Sequence, residues 1–376
     1  MERREPTTKI YEKLHEIVKV LLDPVIAAIF ALFIGAVIIT VLGDSVVVAY
    51  SALWKGAFGS TRSMGQTFMS ATPLIFTGLA FSVAFRCGLF NIGSEGQLYM
   101  GAIIGAWAGY AFTGLPSLAH VSLVLILGGT AGAAWGFLPG FLKAKLGVHE
   151  VINTIMMTYI AINLTNWLVS SDGPMRHGST LQATPFVADT ARLKVLIPST
   201  RLTTGIIIAF FVAFCIWVLL WKTKLGYKVR AVGLNNMAAE CGGIDSNRYI
   251  IYAMMISGAL AGLGGAVETI GVHGRFYSGF SPGYGFEGIA VAMLGANHPA
   301  GILLSALLFG ALKSGAMTMQ IVAGTNSELV KILQAIIIFF IAGKWSIITH
   351  LESRQKKKDG LKSNIRGDET WKQSTQ

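Results

Sequence analysis

The sequence predicts an all-α, polytopic membrane protein of about ten transmembrane helices. Hydrophobic residues make up 53% of the 376 and charged residues only 13%, against about 25% charged in soluble domains. Mean hydropathy is +0.59. Apolar runs near the length that an α-helix needs to cross a bilayer recur along the chain. In hydrocarbon every backbone polar group of such a run must be bonded internally, which selects the helix. The net charge of +11 reads as Lys and Arg retained on cytoplasmic loops, not as a nucleic-acid footprint. Cys87, Cys215 and Cys241 have no CxxC spacing and give no disulfide or metal framework.

Residues 1–23 are polar and mixed in charge, with Ile10, Leu14, Ile17, Val18 and Leu21 at the spacing of a short surface helix. The membrane domain is expected over 24–348 and a basic cytoplasmic tail over 349–376. That tail, with Lys356, Lys357 and Lys358, is expected to be disordered and close to anionic lipid. The first span, 25–42, lacks a small-residue cleavage site and reads as a retained anchor. The others follow at 67–85, 98–112, 121–142, 151–169, 202–221, 250–270, 286–296, 301–319 and 329–348. The eighth is too short to cross about 30 Å of hydrocarbon. Asn297-His298-Pro299 therefore marks a broken or re-entrant element. With the N-terminus inside, cytoplasmic segments hold 21 Lys and Arg and outer segments 8, with Lys313 within a span. That ratio places both termini in the cytoplasm.

The stretch 85–102 is the densest in chemistry. Arg86, Asn91, Glu95 and Gln97 sit between two apolar runs, spaced by Gly88, Gly93 and Gly96. Polar groups this close to hydrocarbon are costly unless they face protein, water or a ligand. Two readings are open: a tight cytoplasmic turn with a helix cap, or a functional element of the translocation path. Gly93-Ser94-Glu95-Gly96 is echoed by Gly285-Phe286-Glu287-Gly288. Each opens the second span of a four-span group, spans 2–5 and 7–10, entered from opposite sides. That is the pattern of an inverted repeat, which puts a substrate path between the halves.

Other polar residues lie within the spans. Asn153 and Asn163 are ten residues apart, close to three helical turns and so expected on one face. They suit either interhelical hydrogen bonding, about 0.6 kcal/mol each in membranes, or a path for a polar solute. Glu268, Glu287 and Lys313 are ionisable groups in or near spans, read as functional by default or as an internal ion pair. In the loop 222–247, residues 237–241 suit a short helix, with Asn235 or Asn236 as N-cap and Gly242-Gly243 as terminator. Such a helix can dock into a groove on a partner, or be a capped, solvated loop. No phosphate-binding G-x-x-x-x-G-K-[ST] loop, HExxH or GxSxG occurs, so the chain is expected neither to bind ATP nor to be an enzyme.

Phe90-Asn91-Ile92-Gly93-Ser94-Glu95-Gly96-Gln97 resembles the signature of a family of bacterial ABC-importer permeases serving nucleosides, simple sugars and branched-chain amino acids. The resemblance covers roughly residues 20 to 350. The Glu-Gly-Gln ending and the stretch 49–60 resemble nucleoside members most. The resemblance implies a permease subunit in the bacterial cell membrane that needs no cofactor. It works with an ATP-binding subunit, a second permease subunit and an extracytoplasmic substrate-binding lipoprotein. It also implies that Gly233, Asn235, Ala238, Ala239, Gly243 and Ile244 form the coupling helix on the ATPase. Leu234 and Asn236 depart from that pattern, where an acidic residue and proline are common. Nucleosides lead the substrate classes, followed by simple sugars and branched-chain amino acids. The competing class is an ion-coupled secondary transporter using Glu268, Glu287 or Lys313.

Overall fold

The computed structural model describes residues 32–41, 43–178, 181–324 and 329–336, with Ile29 and Phe339. The expectations for 1–23, for the tail 349–376 and for the outer parts of the first and last spans lie outside the described residues. The helices are α1 (Leu32–Val41), α2 (Val46–Phe58), α3 (Thr61–Arg86), α4 (Ser94–Ala111), α5 (Ser117–Leu146), α6 (Glu150–Leu168), α7 (Gly205–Lys222), α8 (Lys224–Leu234), α9 (Asn236–Cys241), α10 (Ser246–Glu268), α11 (Tyr284–Leu294) and α12 (Pro299–Ala323). Helix continues over 329–336, and α10 runs on into a π-turn over Thr269–His273. The described residues hold no extended sheet, only isolated bridges at Ala183–Tyr277 and Val195–Thr203.

Each expected span coincides with a helix over its described residues. Among the described residues, five helices are long and apolar enough to cross a membrane: α3, α5, α7, α12 and the stretch Ser246–His273. The chain is a multi-pass, all-α membrane protein. Two helices were not anticipated. In α2 the apolar run is interrupted by Ser51 and Lys55, and 13 residues are too few for a span. It forms because Ala49, Ala52, Gly56 and Ala57 make one buried face. Ser314 of α12 donates to the Gly56 carbonyl oxygen at 2.9 Å, tying the two helices together. Helix α8 arises in the loop expected at 222–247; Thr223 caps it, its hydroxyl accepting from the Gly226 N–H.

The core is built around α10, which packs on α3, α4 and α5. Lipid tails are as apolar as side chains, so close backbone contact replaces the hydrophobic effect as the source of cohesion. A Cβ on Gly101 of α4 would lie 2.2 Å from the Gly262 carbonyl oxygen of α10. A Cβ on Gly132 of α5 would lie 2.2 Å from the Gly258 oxygen. Glycine is thus obligatory where three helices converge.

The break expected at 297–299 is present. Helix α11 ends at Leu294, a tight turn follows, and α12 starts on Pro299, which needs no N–H at the first helical position. His298 caps α12, its Nδ1 accepting from the Ala300 N–H at 3.3 Å. At one end of the bundle this turn meets the C-terminus of α3 and the end of α7. At the opposite end the 183–203 segment joins 274–277, with Thr184 N–H on the Phe276 oxygen and Val187 N–H on the Gly274 oxygen, both 2.9 Å.

Gly262→Val should therefore lower the melting temperature of the detergent-purified protein by several degrees. Overpacking a close contact costs about 1–3 kcal/mol. Substitution of the neighbouring Leu263 by Val should do much less. Equal melting temperatures for the two variants would remove the close-packing account.

Candidate functional site

The stretch 87–93 is non-helical backbone linking α3 to α4. It lies alongside α11, whose 11 residues span about 16 Å. Arg86 grips the turn at one end of α11, and Glu95 touches Gly285 at the other. The signature side chains Asn91, Glu95 and Gln97 are almost wholly buried, which does not fit a solvated turn. Non-helical backbone within a membrane domain must be enclosed in protein with its polar groups bonded. Asn91 and its neighbours meet that demand. The Asn91 Oδ1 accepts from the Gly93 N–H at 2.8 Å, and its Nδ2 donates to Gln97 Oε1 at 3.1 Å and Ser257 Oγ at 2.8 Å. The Ser257 hydroxyl donates in turn to the Ala80 oxygen at 2.6 Å, and Thr154 Oγ1 accepts from the Ile92 N–H at 3.2 Å. Phe90 packs edge-on against Phe81, with ring centroids 5.0 Å apart.

Glu95 is 2% exposed. Its Oε2 accepts from the Gly285 N–H at 2.5 Å, at the N-terminus of α11. The first turn of a helix carries unpaired N–H groups and a partial positive charge, which a carboxylate satisfies. Contact is tight: a Cβ on Gly285 would lie 2.2 Å from the Glu95 nitrogen. The two G-x-E-G segments noted in the sequence therefore meet in space. Thr77 of α3 adds a second tie, donating to the Tyr284 oxygen at 2.9 Å. Gly93 and Gly96 face α6, where a Cβ on Gly96 would lie 2.7 Å from the Thr158 Cα.

One turn into α11, Glu287 forms an ion pair with Lys313 of α12 at 3.1 Å. Both stay partly open, with 30% of the Lys313 and 22% of the Glu287 side chain exposed. The ammonium sits 4.7 Å from the centre of the Tyr284 ring, and Phe286 beside it is exposed. Glu268 is buried and faces His273 at 3.4 Å. Asn153 is buried, with its Nδ2 3.4 Å from the Pro139 oxygen, whereas Asn163 is exposed and bonds back to Tyr159. The two do not share a face as expected. Ten residues turn the helix through about 1000°, roughly 80° short of three full turns. Thr77, Thr154, Ser257 and Tyr284 escaped the sequence reading. Hydroxyls inside apolar runs were their only signal. A pocket of about 370 Å³, lined by Arg192, Thr200, Arg201 and His273 among others, escaped it too.

At the end of the bundle near Arg86, helix α9 forms as the sequence predicts. Asn235 is the N-cap, its Oδ1 accepting from the Ala238 N–H at 3.0 Å. Gly243, at φ 75°, ends the helix, and the Ile244 N–H returns to the Ala239 oxygen at 3.0 Å. Ala239, expected on the docking surface beside Ala238, is instead buried against its own chain. The period of 3.6 turns the two alanines apart, so only Ala238 faces outward. The outward surface is apolar: Leu234 is 88% and Met237 80% exposed. Gly233 packs inward on α3, where a Cβ would lie 2.2 Å from the Arg86 oxygen.

Residues 63–342 match the family described as branched-chain amino acid transport system / permease component. A guanosine ABC transporter permease protein of Bacillus subtilis is 44% identical over 90% of this chain and 97% of its own length. A nucleoside ABC transporter permease protein of Lactococcus lactis is 40% identical over 87% of this chain and 92% of its own. A glucose ABC transporter permease protein of Haloferax volcanii is 33% identical over 85% and 86%. The chain belongs to this family of transport-system permeases, as the signature at 90–97 indicates.

The capping geometry separates the roles of neighbouring residues. Glu95→Ala should abolish uptake while the protein stays in the membrane. Glu95→Gln keeps a carbonyl acceptor for the Gly285 N–H and should retain a measurable fraction. Ser94, whose buried hydroxyl has no partner among the described residues, should tolerate alanine, whereas Gly96→Leu should not be tolerated. Uptake normalised to membrane abundance by immunoblot measures all four; full uptake by Glu95→Ala would make the cap dispensable.

Proposed function

We propose that this chain is the membrane-spanning subunit of an ABC importer that carries nucleosides into a bacterial cell. The observation that supports it best is the Glu287–Lys313 pair. It is partly exposed, in the first turn of a helix of 11 residues. Charges within a membrane domain do not face lipid; they face a water-filled path or another subunit. Beside the pair lies the Tyr284 ring, and the Phe286 ring is exposed on the same turn of α11. A nucleoside is an uncharged solute with a flat base and several hydroxyls. Aromatic faces and charged donors and acceptors match it better than an apolar wall would. The names of the guanosine and nucleoside relatives point the same way. Phe90, Asn91, Gly93, Glu95, Gly96 and Gln97 act in this reading as the frame that holds α11 in place, with Asn153 bracing it from α6. Asn163 lies on an exposed face of α6 that suits contact with a second permease subunit.

The reading assigns the remaining parts of an importer to partners. ATP is hydrolysed by a separate ATP-binding subunit docked on α9. A second permease subunit, identical or different, completes the path. An extracytoplasmic lipoprotein delivers the substrate. The end carrying α8 and α9 faces the cytoplasm, as do both termini. The division into an N-terminal segment at 1–23, a permease domain at 24–348 and a basic, lipid-facing tail at 349–376 belongs to the same proposal.

Two measurements test it. With radiolabelled guanosine and uridine as probes, Lys313→Met and Glu287→Gln should each cut uptake about tenfold or more, the worth of one hydrogen bond to a charged group. If the exchanged pair Glu287→Lys with Lys313→Glu restores uptake fully, the pair is structural and the path lies elsewhere. Separately, Ala238→Trp should weaken co-purification with the ATP-binding subunit and remove stimulation of hydrolysis by loaded binding protein. Normal assembly and stimulation in that variant would move docking away from α9. Nucleoside uptake driven by a proton gradient, by the reconstituted chain alone, would overturn the importer reading itself.

A further inference from the structure

Arg86, the last residue of α3, makes contacts that no cap of its own helix requires. Its Nε and Nη2 donate to the Asn297 carbonyl oxygen at 3.1 and 3.0 Å, and Nη2 also reaches the Ala296 oxygen at 3.2 Å. Ser82, one turn back on α3, donates to the same Asn297 oxygen at 2.9 Å. These carbonyls belong to the turn between α11 and α12. That turn holds two successive non-glycine residues in the left-handed region, Ala296 at φ 52° and Asn297 at φ 51°. Such residues are disfavoured and persist only where the surroundings impose them. The turn also has no slack, since a Cβ on Gly301 would lie 2.3 Å from the Gly295 oxygen.

The same guanidinium lies 5.2 Å from the centre of the Trp221 ring at the end of α7, and Trp221 meets His298 edge-on at 4.9 Å. Arg230 of α8 lies over the same indole at 5.9 Å. The Arg86 backbone meets the end of α8 directly. Gly233 fits against its carbonyl, and a Cβ on Gly88 would lie 3.3 Å from the Gly233 Cα. One residue further on is exposed Leu234, followed by α9. Arg86 is therefore held by α8 on one side and holds α11 on the other. The far end of α11 carries Glu287 and the contact to Glu95. At 11 residues, α11 is short enough to move as one rigid piece of about 16 Å.

We propose that Arg86 is the positioning residue that transmits displacement of α8 and α9 to α11, and so links events at the docking face to the Glu287–Lys313 pair. The proposal rests on the reading that α9 docks the ATP-binding subunit. Guanidinium chemistry suits the task. Its planar fork bonds two carbonyls while its face stacks on an indole, and a lysine ammonium reproduces neither geometry.

The test uses the assembled importer with ATP-binding subunit and binding protein, and guanosine as probe. Arg86→Lys keeps the charge and loses the fork. It should assemble at the native yield and hydrolyse ATP at the basal rate. Stimulation by loaded binding protein and uptake should both fall about tenfold, the size of an ordinary coupling between sites. Stimulation and uptake within about twofold of native in Arg86→Lys would overturn the proposal. A second measurement stands if that variant does not assemble. With exposed Cys215 and Cys241 replaced by serine, spin labels are placed at 234 and at 286, each paired with one at 126 on the outer face of α5. On addition of ATP, the 234–126 and 286–126 distances should shift together. A shift at 234 with none at 286 overturns the latch while leaving α9 as the docking helix. No shift at 234 removes the displacement to be transmitted and overturns the latch as well. Normal assembly of Ala238→Trp separately identifies failure of the docking reading.

Discussion

The arrangement depends on one buried contact, the Glu95 carboxylate on the N-terminus of α11. A helix leaves its first N–H groups without partners of its own. A buried carboxylate is equally costly alone. Each resolves the cost of the other. The pairing explains why a Glu stands in an otherwise apolar setting, and why Gly285 must be glycine to let the two backbones approach. It also fixes the position of α11 against α4, and with it Glu287.

Around that contact the structure is held by close backbone packing more than by large side chains. Glycines of α4, α5 and α10 meet carbonyl oxygens of neighbouring helices at distances no Cβ allows. Cohesion of this kind is directional and unforgiving, in contrast to apolar side chains that can repack. The polar network of Asn91, Gln97, Ser257 and Thr154 completes the centre by satisfying the non-helical backbone at 87–93.

The α8–α9 surface joins the interior through few residues. Helix α8 touches α3 at Gly233, and α3 touches the α11–α12 turn at Arg86 and Ser82. An apolar patch of Leu234 and Met237 stands outside this connection, open to solvent. An exposed apolar patch on a short capped helix is the usual mark of a surface that another protein covers. The two departures from the family pattern, at Leu234 and Asn236, therefore fall on or beside that outward surface.

Much of this was legible in the order of residues. Apolar runs of spanning length require helices, because hydrocarbon leaves backbone groups no other partner, and the signature at 90–97 identifies the family. The N-cap at Asn235 and the break before Pro299 are local chemistry, and local chemistry can be read from neighbours. The sequence alone misjudged what depends on a third dimension. It left open whether the signature was a capped turn or an element of the translocation path, because the partner of Glu95 is Gly285, some 190 residues away. It placed Asn153 with Asn163 and Ala239 outward, because facing depends on exact helical phase and on what packs behind. It missed α2, whose stability comes from small residues seated on α12 and not from hydropathy. Composition and periodicity thus determined that the chain crosses the membrane as helices and where most of them run. Only tertiary structure decided which polar residues neutralise one another and which remain open, because the cost of burying a charge depends on partners distant in sequence.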